Sequence, residues 1–446
     1  MLKANVDVNV REHNRGLVDR EVYVNESSKP LVLMVGAGFG GIQFIKSVVG
    51  SNCEVLIVDQ NNYHQFQPLL YQVAISGLEP DSIVAPIRKL FSQKKNVRYK
   101  MGRLLKVDSN KQIAYFNIGY VKYDRLILGL GSQTNYFGNN SIKKHAIGLK
   151  SINDALNLRS WILQRFEQAT NPEDQNGLLH FVIAGGGPAG IEMAGALAEF
   201  KLRLLKQDYP EIDPNRVKIS LLEGGPSILS SMSKRAQRSA IKVLSKLGVD
   251  VHLNARVLDY DGSLVQYEQN QENHRIKSST LIWTAGVICH KIEGLPDKVF
   301  GHGNRIYVNE QLQVMGLDNI YVLGDQALVQ SKSTPHGHPM VAQVAIQQAK
   351  YLAKHLLKRD DSKFVYKDKG SMATIGKKNA VADINHIFLR GNIGWLLWSF
   401  VHIVQITGFK GKLQVALNWL LKYIRYEKAN QLIIRKYDPL GKWNSQ

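Results

Sequence analysis

The chain has 446 residues, of which 44% are hydrophobic and 21% are charged, and this composition indicates a globular protein of two or three domains rather than a disordered one. Its formal net charge is +20, and residues 331–446 alone carry 19 Lys and Arg against 6 Asp and Glu. A basic C-terminal region that also contains aromatic residues predicts an anionic partner, either a membrane surface or a nucleic acid.

Two features bear on the compartment in which the protein works. Residues 1–29 are predicted to be an N-terminal extension, because they lack the apolar core of a signal peptide and contain too many acids for a mitochondrial transit peptide. The two cysteines, Cys53 and Cys289, are far apart and form no C-x-x-C pair. This excludes a disulfide framework, a cysteine zinc site and paired redox thiols, and it favours a reducing compartment.

The first predicted element is a buried strand that leads into a glycine-rich turn. The strand Leu31–Val35 is followed by the spacing G-x-G-x-x-G at Gly36, Gly38 and Gly41, with a helix expected from about Gly40. The first glycine permits the tight turn, the second lets the backbone approach a pyrophosphate, and the third lets helix pack on strand. Amides and the dipole at the helix N-terminus favour the phosphate charge. The motif therefore predicts a dinucleotide site.

Two further features follow this turn. A strand over Glu54–Asp59 ends in a carboxylate at the distance from Gly41 where a ribose 2′-hydroxyl would be held. The loop at residues 62–71 is rich in aromatic side chains and leads into a short helix. Such a loop is typical either of an ordinary helix start or of the lining for a flat ring system, and the sequence leaves both interpretations open.

The same order of elements then repeats, which predicts an internal duplication. A buried strand at His180–Ala184 precedes a second fingerprint at Gly185, Gly187 and Gly190, and a later strand again ends in an acid, Glu223. Each copy is predicted to continue with short strands of a meander and a strand that returns to the sheet. These strands are 97–99, 103–107, 112–116 and 126–131 in the first copy, and 251–256, 264–268 and 280–286 in the second.

Two dinucleotide sites in one chain indicate a flavin that faces a nicotinamide, because this pair exchanges a hydride. A strand that ends in Gly324 and Asp325 supports the flavin, since a carboxylate there suits a ribityl hydroxyl. We predict an α/β fold with two Rossmann-like domains, each with a β-meander, and a C-terminal helical region that associates with a membrane. The predicted FAD domain comprises residues 30–149 and 289–370, the NADH domain residues 150–288, and the membrane-anchoring region residues 371–446.

The C-terminal region contains two apolar segments. Residues 393–406 carry no charge, but the run is shorter than the roughly 20 apolar residues that a spanning helix needs. One helical face of this segment is predicted to meet lipid headgroups, and its members are Trp395, Trp398, His402 and Gln405. Residues 411–428 predict a second helix, with an apolar stripe at Leu413, Leu417, Leu420 and Ile424.

Stripes of this kind pack into cores more often than they anchor a protein. Here Trp419 and Tyr423 lie at the boundary of the stripe, and the surrounding sequence has an excess of Lys and Arg. Both observations favour interfacial binding. His336 and His338 flank Gly337, and we interpret this pair as structural rather than as a metal site.

The sequence resembles the type II NADH:quinone oxidoreductases, which are single-subunit, FAD-containing, non-pumping dehydrogenases on the membrane surface. The resemblance covers residues 30–436 and is carried by residues 36–41, 66–74, 185–192, 321–325 and 342–347. It implies non-covalent FAD, NADH as substrate and quinone as acceptor, with no metal and no nucleic acid. It also implies a monotopic location on the cytoplasmic face of the inner or cell membrane, and it allows a homodimer.

The resemblance also implies the residues of each site. Those expected at FAD are Gly36, Gly38, Phe39, Gly40, Gly41, Asp59, Gln67, Pro68, Leu104, Gly131, Gly324, Asp325 and Ala345. Those expected at NADH are Gly185, Gly187, Pro188, Gly190, Glu192, Glu223, Ala285 and Gly286. Glu223 predicts NADH over NADPH, because a carboxylate repels a 2′-phosphate.

Three residues are expected to be catalytic. Glu192 is expected where nicotinamide and flavin meet, although a helix start also favours a glutamate. Gln343 and Gln347 lie four apart on one helical face and could donate to quinone carbonyls, and two solvated glutamines are the alternative. Two positions depart from the family pattern: Gly129-Leu-Gly131 stands where relatives often have Ala-Thr-Gly, and Trp398 stands where some relatives have a lysine near the quinone.

Three other classes of protein fit the sequence less well. A sulfide:quinone oxidoreductase would need redox cysteines that the chain lacks. A soluble FAD-dependent NADH oxidase or ferredoxin-type reductase would not need the C-terminal helices. A flavoprotein that binds nucleic acid, similar to apoptosis-inducing factors, is expected to spread its basic charge over the folded core, whereas here the charge gathers beside apolar helices.

Overall fold

The computed structural model describes residues 18–171, 177–330, 334–358, 362–385, 387–424 and 431–440. The chain forms two compact units. The first contains the chain as far as His64, with Pro86–Ser132 and Ile288–Asp368, and the second contains Gln65–Ala85, Gln133–Val287 and the chain from Lys369 onward. Residues 65–85 and 133–149, which we predicted with the first domain, therefore group with the second unit by their contacts.

The helices and strands of the described residues are numbered in chain order. The helices are α1 Phe39–Val48, α2 Leu70–Ala74, α3 Ile87–Phe91, α4 Asn140–His145, α5 Ile152–Ala169, α6 Pro188–Gln207, α7 Lys234–Lys246, α8 Ala342–Lys358, α9 Gly391–Gln405 and α10 Phe409–Ile424. The strands are β1 Leu31–Val35, β2 Glu54–Asp59, β3 Tyr63–Gln65, β4 Val84–Pro86, β5 Val97–Met101, β6 Leu104–Asp108, β7 Ile113–Phe116, β8 Gly119–Lys122, β9 Arg125–Leu128, β10 Ser132–Thr134, β11 Ile147–Gly148, β12 His180–Ala184, β13 Lys218–Leu222, β14 Val249–His252, β15 Ala255–Tyr260, β16 Leu264–Gln269, β17 Glu272–Lys277, β18 Thr280–Trp283, β19 Val287–Cys289, β20 Ile306–Val308, β21 Ile320–Val322, β22 Ala327–Val329, β23 Ser371–Thr374, β24 Ala380–Ile384 and β25 Ile387–Arg390.

The first unit is built on a five-stranded parallel sheet with the order β21-β9-β1-β2-β5. Every residue of β1 is buried, as expected for a strand that is covered on both faces. Helix α1 packs against α8, and at Gly40 a methyl group would lie 3.4 Å from the carbonyl oxygen of Ala345 on α8. The same methyl group would lie 2.3 Å from Cδ1 of Leu323, which follows β21. The predicted strand, turn and helix at the first fingerprint are confirmed.

The second unit repeats this design with the parallel order β11-β18-β12-β13-β14. Strand β12 lies at the centre of the sheet and leads into α6, while β13 lies beside it. Each unit also carries a three-stranded antiparallel meander, β6-β7-β8 in the first and β15-β16-β17 in the second. The predicted duplication of a Rossmann-like unit with its meander is confirmed.

The prediction of which strands form each meander was wrong by one strand. Residues 97–99, predicted in the first meander, belong to β5, which pairs in parallel with β2 in the central sheet. In the second copy the predicted strand 251–256 is divided between β14 of the sheet and β15 of the meander. The third meander strands, β8 and β17, were not predicted, because β8 has only four residues and β17 is rich in charged, exposed side chains.

The C-terminal part of the second unit begins with an antiparallel sheet in the order β23-β24-β25, which leads into α9 and then α10. None of the helices in the described residues is long and apolar enough to cross a membrane. Helix α10 contacts the 3₁₀ turn Pro80–Ser82, and Gly411 permits this, because a methyl group there would lie 2.6 Å from the carbonyl oxygen of Ser82.

The prediction that the tryptophan face of α9 meets headgroups was wrong. Trp398 is only 1% exposed and stacks on His402 with ring centroids 4.0 Å apart, and its indole lies 5.2 Å from that of Trp419. The face therefore packs inward at Trp398 and His402, whereas Gln405 at its end is exposed. The exposed apolar stripe of α9 consists instead of Ile393, Leu396, Phe400 and Val404.

The predicted apolar stripe of α10 is exposed at Leu413, Leu417 and Leu420, as expected, and Phe409 extends it. Trp419, which was predicted at the boundary of this stripe, is only 7% exposed and packs inward, so its predicted interfacial position was wrong. The other positions predicted here fall outside the described residues. They are the side chains of Lys422, Tyr423 and Ile424, and residues Arg425 and Lys428.

Candidate functional site

The first fingerprint has the backbone conformation that its glycines were predicted to permit. Gly36 has a φ of +103°, and a methyl group there would lie 2.2 Å from the carbonyl oxygen of Gly129. A methyl group at Gly41 would lie 2.0 Å from the carbonyl oxygen of Gly36, so helix and strand are in contact. At Gly38 a methyl group would meet no atom within 4 Å, which leaves the backbone open to a ligand. The turn fits a pyrophosphate.

Asp59 lies at the end of β2 beside this turn. Its carboxylate accepts hydrogen bonds from the N–H of Ala37 at 2.6 Å and from that of Asn61 at 2.7 Å. Burial raises the pKa of Asp59, and these two N–H donors partly oppose the shift. Each carboxylate oxygen can accept more than one hydrogen bond, so the group can hold a ribose hydroxyl as well.

A cavity of about 160 Å³ opens beside the fingerprint. Gly36, Asp59 and Leu104, three of the predicted FAD residues, line it. Arg103 and Lys291 also line it, and their cationic groups suit an anionic cofactor. Sequence reasoning did not identify these two residues, since neither belongs to a motif and they are far apart in the chain.

The carboxyl edge of the first sheet also presents Asp325. The hydroxyl of Ser132, next to Gly131, donates to its Oδ2 at 2.5 Å. The neighbouring N–H of Gly324 donates to Oε1 of Gln348, on α8, at 2.7 Å, so the turn is fixed to this helix. The predicted FAD residues Gly131, Gly324 and Asp325 are thus brought together within the first unit.

Helix α8 carries the two predicted quinone residues and Ala345. A methyl group at Gly40 would lie 3.6 Å from Cβ of Ala345, which places Ala345 beside the start of α1. Gln347 donates from Nε2 to the carbonyl oxygen of Lys367 at 2.8 Å and accepts from its N–H at 3.0 Å. Gln343 donates to Oδ1 of Asp368 at 3.4 Å. Both amides are half-buried and hold the segment that follows α8.

The second fingerprint repeats the first in detail. Gly185 has a φ of +106°, and a methyl group there would lie 2.9 Å from the backbone nitrogen of Ala285. A methyl group at Gly190 would lie 1.9 Å from the carbonyl oxygen of Gly185, whereas at Gly187 it would meet no atom within 4 Å. Pro188 begins α6, where a missing N–H costs nothing. This turn also fits a pyrophosphate.

Glu223, at the end of β13, occupies the place that Asp59 has in the first unit. Its Oε2 accepts from the N–H of Gly186 at 2.5 Å, and its Oε1 accepts from the N–H of Gly225 at 2.7 Å. Exposed Arg256 lies next to Gly224, since a methyl group on Gly224 would be 3.8 Å from Cβ of Arg256. The carboxylate is thus oriented by two backbone donors, and the backbone of Arg256 passes beside the same turn.

Glu192 lies in the second turn of α6 and is buried. Burial raises the pKa of Glu192 to about 8, and the N–H of Thr374, which donates to its Oε1 at 3.4 Å, partly opposes this shift. A carboxyl group with this pKa is mostly protonated at pH 7. Such a shifted group in the interior is typical of a functional site.

A chain of hydrogen bonds leads from Thr374 toward the C-terminal helices. The hydroxyls of Thr374 and Tyr71 are 2.8 Å apart, and Nε2 of Gln72 donates to Oη of Tyr71 at 3.0 Å. The indole N–H of Trp419, on α10, then donates to Oε1 of Gln72 at 2.9 Å. The network joins β23, α2 and α10 beside Glu192.

Sequence reasoning did not identify this network, and it assigned Trp419 to the membrane interface instead. Tyr71 and Gln72 lie in the stretch 66–74 that carries the family resemblance, which was the only available signal. Gln67 and Pro68, predicted at FAD from the same stretch, form the 3₁₀ turn Gln67–Leu69 of the second unit. Phe66 is buried, with its ring 6.0 Å from that of His402. The aromatic loop therefore packs against α9.

The described residues contain no group of three or more His, Cys, Asp or Glu side chains that could hold a metal. Cys53 and Cys289 are buried and form no disulfide. The carbonyl oxygens of His336 and His338 accept hydrogen bonds from the guanidinium of Arg305 at 3.3 and 3.0 Å, so the histidine pair is part of a packed loop.

Two Rossmann-like units with matching phosphate turns define a flavoprotein of the class that binds two dinucleotides. Residues 30–349 match the family model of the pyridine nucleotide-disulphide oxidoreductases, and residues 369–425 match that of the NDH2 C-terminal domain. With its relatives considered as well, the chain belongs to the type II NADH:quinone oxidoreductase family.

Two relatives from Mycobacterium tuberculosis support this assignment. The chain is 34% identical over 421 residues to the type II NADH:quinone oxidoreductase Ndh, with 90% of each chain covered. It is 33% identical over 424 residues to the type II NADH:quinone oxidoreductase NdhA, and this alignment covers 90% of this chain and 89% of NdhA. The solved structure of NDH2 from Plasmodium falciparum in complex with NADH has the same fold, with a TM-score of 0.83, 22% identity and coverage of 92% of this chain and 100% of that one.

Proposed function

We propose that this protein oxidises NADH with bound FAD and passes two electrons to a membrane quinone without pumping protons. The observation that carries the proposal is the pair of phosphate turns, each with an open second glycine, Gly38 and Gly187, and each with an acid held at its edge, Asp59 and Glu223. The relatives from Mycobacterium tuberculosis, named as NADH:quinone oxidoreductases, support the same substrates.

The residues of the first unit suit FAD and those of the second suit NADH. Asp59 would hold the adenosine ribose of FAD, and Asp325 would hold its ribityl chain, oriented by Ser132. Bound FAD supplies the hydride acceptor and the electron donor of the reaction. Glu223 would hold the adenosine ribose of NADH, with its pyrophosphate on the turn at Gly187.

Quinone reduction takes up protons as well as electrons, and Glu192 is suited to supply one. Its carboxyl is buried and has a pKa of about 8, so it holds a proton at neutral pH. The hydroxyls of Tyr71 and Thr374, 2.8 Å apart, lie in the network beside it. A general acid works best when its pKa lies near the working pH, which Glu192 satisfies.

The first prediction concerns the pH dependence of quinone reduction. In the wild type the rate should fall as the pH rises through about 8, because Glu192 loses the proton that it supplies. Glu192→Gln should be roughly ten- to a hundredfold slower at pH 7 and nearly independent of pH between 6 and 9, since an amide does not titrate there. Steady-state rates with a water-soluble quinone across this pH range measure both effects.

The control for this prediction is Glu199→Gln. Glu199 also lies on α6, and burial raises its pKa too, but its carboxylate accepts a hydrogen bond from the N–H of Lys377. This variant should keep the fall in rate near pH 8. A wild type without that fall, or a Glu192→Gln variant that retains it, would show that Glu192 is not the proton donor.

The second prediction separates the two half-reactions. Gln343→Leu should slow reoxidation of the flavin by quinone by roughly ten- to a hundredfold, because a hydrogen bond to the quinone carbonyl is lost in a desolvated site. Reduction of the flavin by NADH should stay within about twofold. In an anaerobic stopped-flow experiment, bleaching of the flavin band by NADH reports the first half-reaction, and its recovery with quinone reports the second.

The same experiment tests the proposed function, since NADH must bleach the band and quinone must restore it. Gln347→Leu should behave similarly, but it also removes two hydrogen bonds to Lys367, so Gln343 gives the cleaner result. Gln43→Leu is the matched control, a half-buried amide on α1. If the Gln343→Leu variant slows both half-reactions equally, or neither, the glutamines are structural.

The proposed location is the cytoplasmic face of the cell membrane, with the protein bound as a monotopic partner of the lipid surface. The exposed stripe of α9 and that of α10 supply apolar area, and Lys410 and Lys412 add positive charge beside it. This combination favours lipid over nucleic acid, because a nucleic-acid surface offers little to an aliphatic stripe. A homodimer and the absence of nucleic-acid binding remain predictions.

A further inference from the structure

An exposed phenyl ring lies on the loop between β10 and α4. The Phe137 side chain is 68% exposed, although it has no polar atom to solvate. Its backbone has a φ of +51°, a left-handed conformation that is rare for a bulky residue and strained. Strained backbone of this kind persists where the surrounding structure enforces it, and it clusters at functional sites.

The surrounding contacts hold this loop firmly. The N–H of Phe137 donates to Oδ1 of Asn135 at 2.8 Å, and the N–H of Asn135 donates to the carbonyl oxygen of Gly286 at 3.2 Å. The indole N–H of Trp283 donates to the carbonyl oxygen of Asn135 at 2.7 Å. The phenyl ring stands edge-on to the Trp283 indole, with centroids 6.4 Å apart. The exposed position of the ring is therefore a fixed feature of the fold.

The ring lies over the turn that follows β18. Gly286 has a φ of +92°, and a methyl group there would lie 3.0 Å from Cζ of Phe137. The preceding residue, Ala285, lies against the second fingerprint, because a methyl group at Gly185 would be 2.9 Å from its nitrogen. Phe137 thus belongs to the same corner of the second unit as the phosphate turn.

The strand order identifies which half of NADH this corner meets. The fingerprint follows β12, Glu223 follows β13 on one side of it, and the turn at Gly286 follows β18 on the other side. A dinucleotide with its pyrophosphate on the fingerprint and its adenosine ribose on Glu223 extends its second half toward β18. That half is the nicotinamide riboside.

We propose that Phe137 stacks on the nicotinamide half of NADH and so positions it. An aromatic ring gains offset or edge contacts with a flat heterocycle, and the bound ligand would remove the exposed phenyl from water. The left-handed backbone at φ +51° and the contact with Gly286 would then both hold the phenyl ring where the nicotinamide lies. The proposal rests on the NADH oxidation proposed above and deepens it.

Calorimetric titration of the oxidised holoenzyme tests the proposal with two probes that do not reduce the flavin. NAD⁺ carries the nicotinamide, and ADP-ribose carries only the adenosine, pyrophosphate and second ribose. Phe137→Ala should weaken NAD⁺ binding by roughly three- to tenfold, the size expected for an aromatic pair, and should leave ADP-ribose binding unchanged. Phe137→Tyr should restore NAD⁺ binding, and Met315→Ala, which truncates another exposed apolar side chain, should change neither affinity.

A second variant distinguishes positioning from a merely structural role. Asparagine adopts the left-handed conformation more readily than phenylalanine, so Phe137→Asn should keep or raise the melting temperature while NAD⁺ binding weakens. Equal loss of NAD⁺ and ADP-ribose affinity, or unchanged NAD⁺ affinity in Phe137→Ala, would overturn the role of Phe137 and leave the proposed function standing. A wild-type holoenzyme that binds neither probe would overturn both.

Discussion

Replacing Leu413 and Leu417 by glutamate should reduce the partition of the protein onto phospholipid vesicles on the order of a hundredfold or more. Both side chains lie on the outer stripe of α10 and are 48% exposed, so membrane contact would bury the remaining apolar area. That burial is worth about 1 kcal/mol for each leucine. Each new carboxylate also adds repulsion of about 1 kcal/mol near an anionic surface.

The same variant should lose most of its activity with a long-tailed quinone, because that substrate is confined to the bilayer. Reduction of a water-soluble quinone should fall less than about twofold, since the substituted side chains point away from the packed face of α10. The packed face holds Trp419, which is 7% exposed and donates to Gln72. Vesicle flotation and rates with both quinones measure the effect.

Deleting the chain from Ile387 onward is a less discriminating version of this test. It should also release the protein, but it removes the buried indole of Trp398 and the bond from Trp419 to Gln72, so the remaining core would be exposed. The matched control is Leu202→Glu with Leu258→Glu, two exposed leucines of the second unit outside the C-terminal helices. Undiminished flotation of the Leu413 and Leu417 variant would disprove the membrane contact of α10, and release by salt alone would mean that charge dominates.

The glycine fingerprints could be predicted from sequence because local geometry leaves them few alternatives. Gly36 and Gly185 have φ values of +103° and +106°, and a side chain at either position would meet backbone atoms. A strand that ends in such a turn and continues as a helix is specified by a few neighbouring residues. The positions of the acids Asp59 and Glu223 could also be predicted, because each lies at the end of the strand that pairs in parallel with the fingerprint strand.

For α9, helical periodicity predicted which residues share a face but not which face is packed against the protein. Helical spacing correctly placed Trp398 and His402 on one face, and they do stack. The opposite stripe, which includes Leu396 and Phe400, is also apolar, so hydrophobicity could not distinguish the packed face from the exposed one. That distinction depends on α10, which supplies Trp419 as a partner from a different part of the chain.

The hydrogen-bond network beside Glu192 could not be predicted from the sequence, because it depends on contacts between distant parts of the chain. Tyr71 and Thr374 are 303 positions apart, yet their hydroxyls are within 2.8 Å. No spacing rule connects two such residues, because their meeting depends on how α2 and β23 both pack on α6. Sequence reasoning therefore identified Glu192 and the stretch that contains Tyr71, but not the contact that relates them.

The nucleotide preference should be controlled by Glu223. In the wild type, NADH should be used at least about a hundredfold better than NADPH, because the carboxylate binds the ribose hydroxyls and repels a 2′-phosphate. The backbone N–H groups of Gly186 and Gly225 hold the carboxylate in place at 2.5 and 2.7 Å. Its charge is therefore fixed at the edge of the phosphate turn.

Glu223→Ser should bring the two nucleotides to within about tenfold of each other. Losing the hydrogen bonds to the ribose should lower kcat/KM for NADH by roughly tenfold, since each is worth about 1–3 kcal/mol. The value for NADPH should rise, because the repulsion is gone and Arg256, next to Gly224, is already present to meet the phosphate. Glu223→Ser with Arg256→Gln should lose this gain in NADPH use and keep the loss for NADH.

Initial rates with each nucleotide at a fixed quinone concentration measure the preference for NADH over NADPH. The melting temperature of each variant shows how much stability is lost because the N–H groups of Gly186 and Gly225 no longer have the carboxylate as acceptor. The decisive comparison is the ratio of the two kcat/KM values, because a general loss of stability lowers both and leaves the ratio unchanged. A wild type that uses both nucleotides equally, or a Glu223→Ser variant with an unaltered ratio, would show that this carboxylate does not contact the ribose. The acid at the end of β13 would then serve only to brace the turn through Gly186 and Gly225.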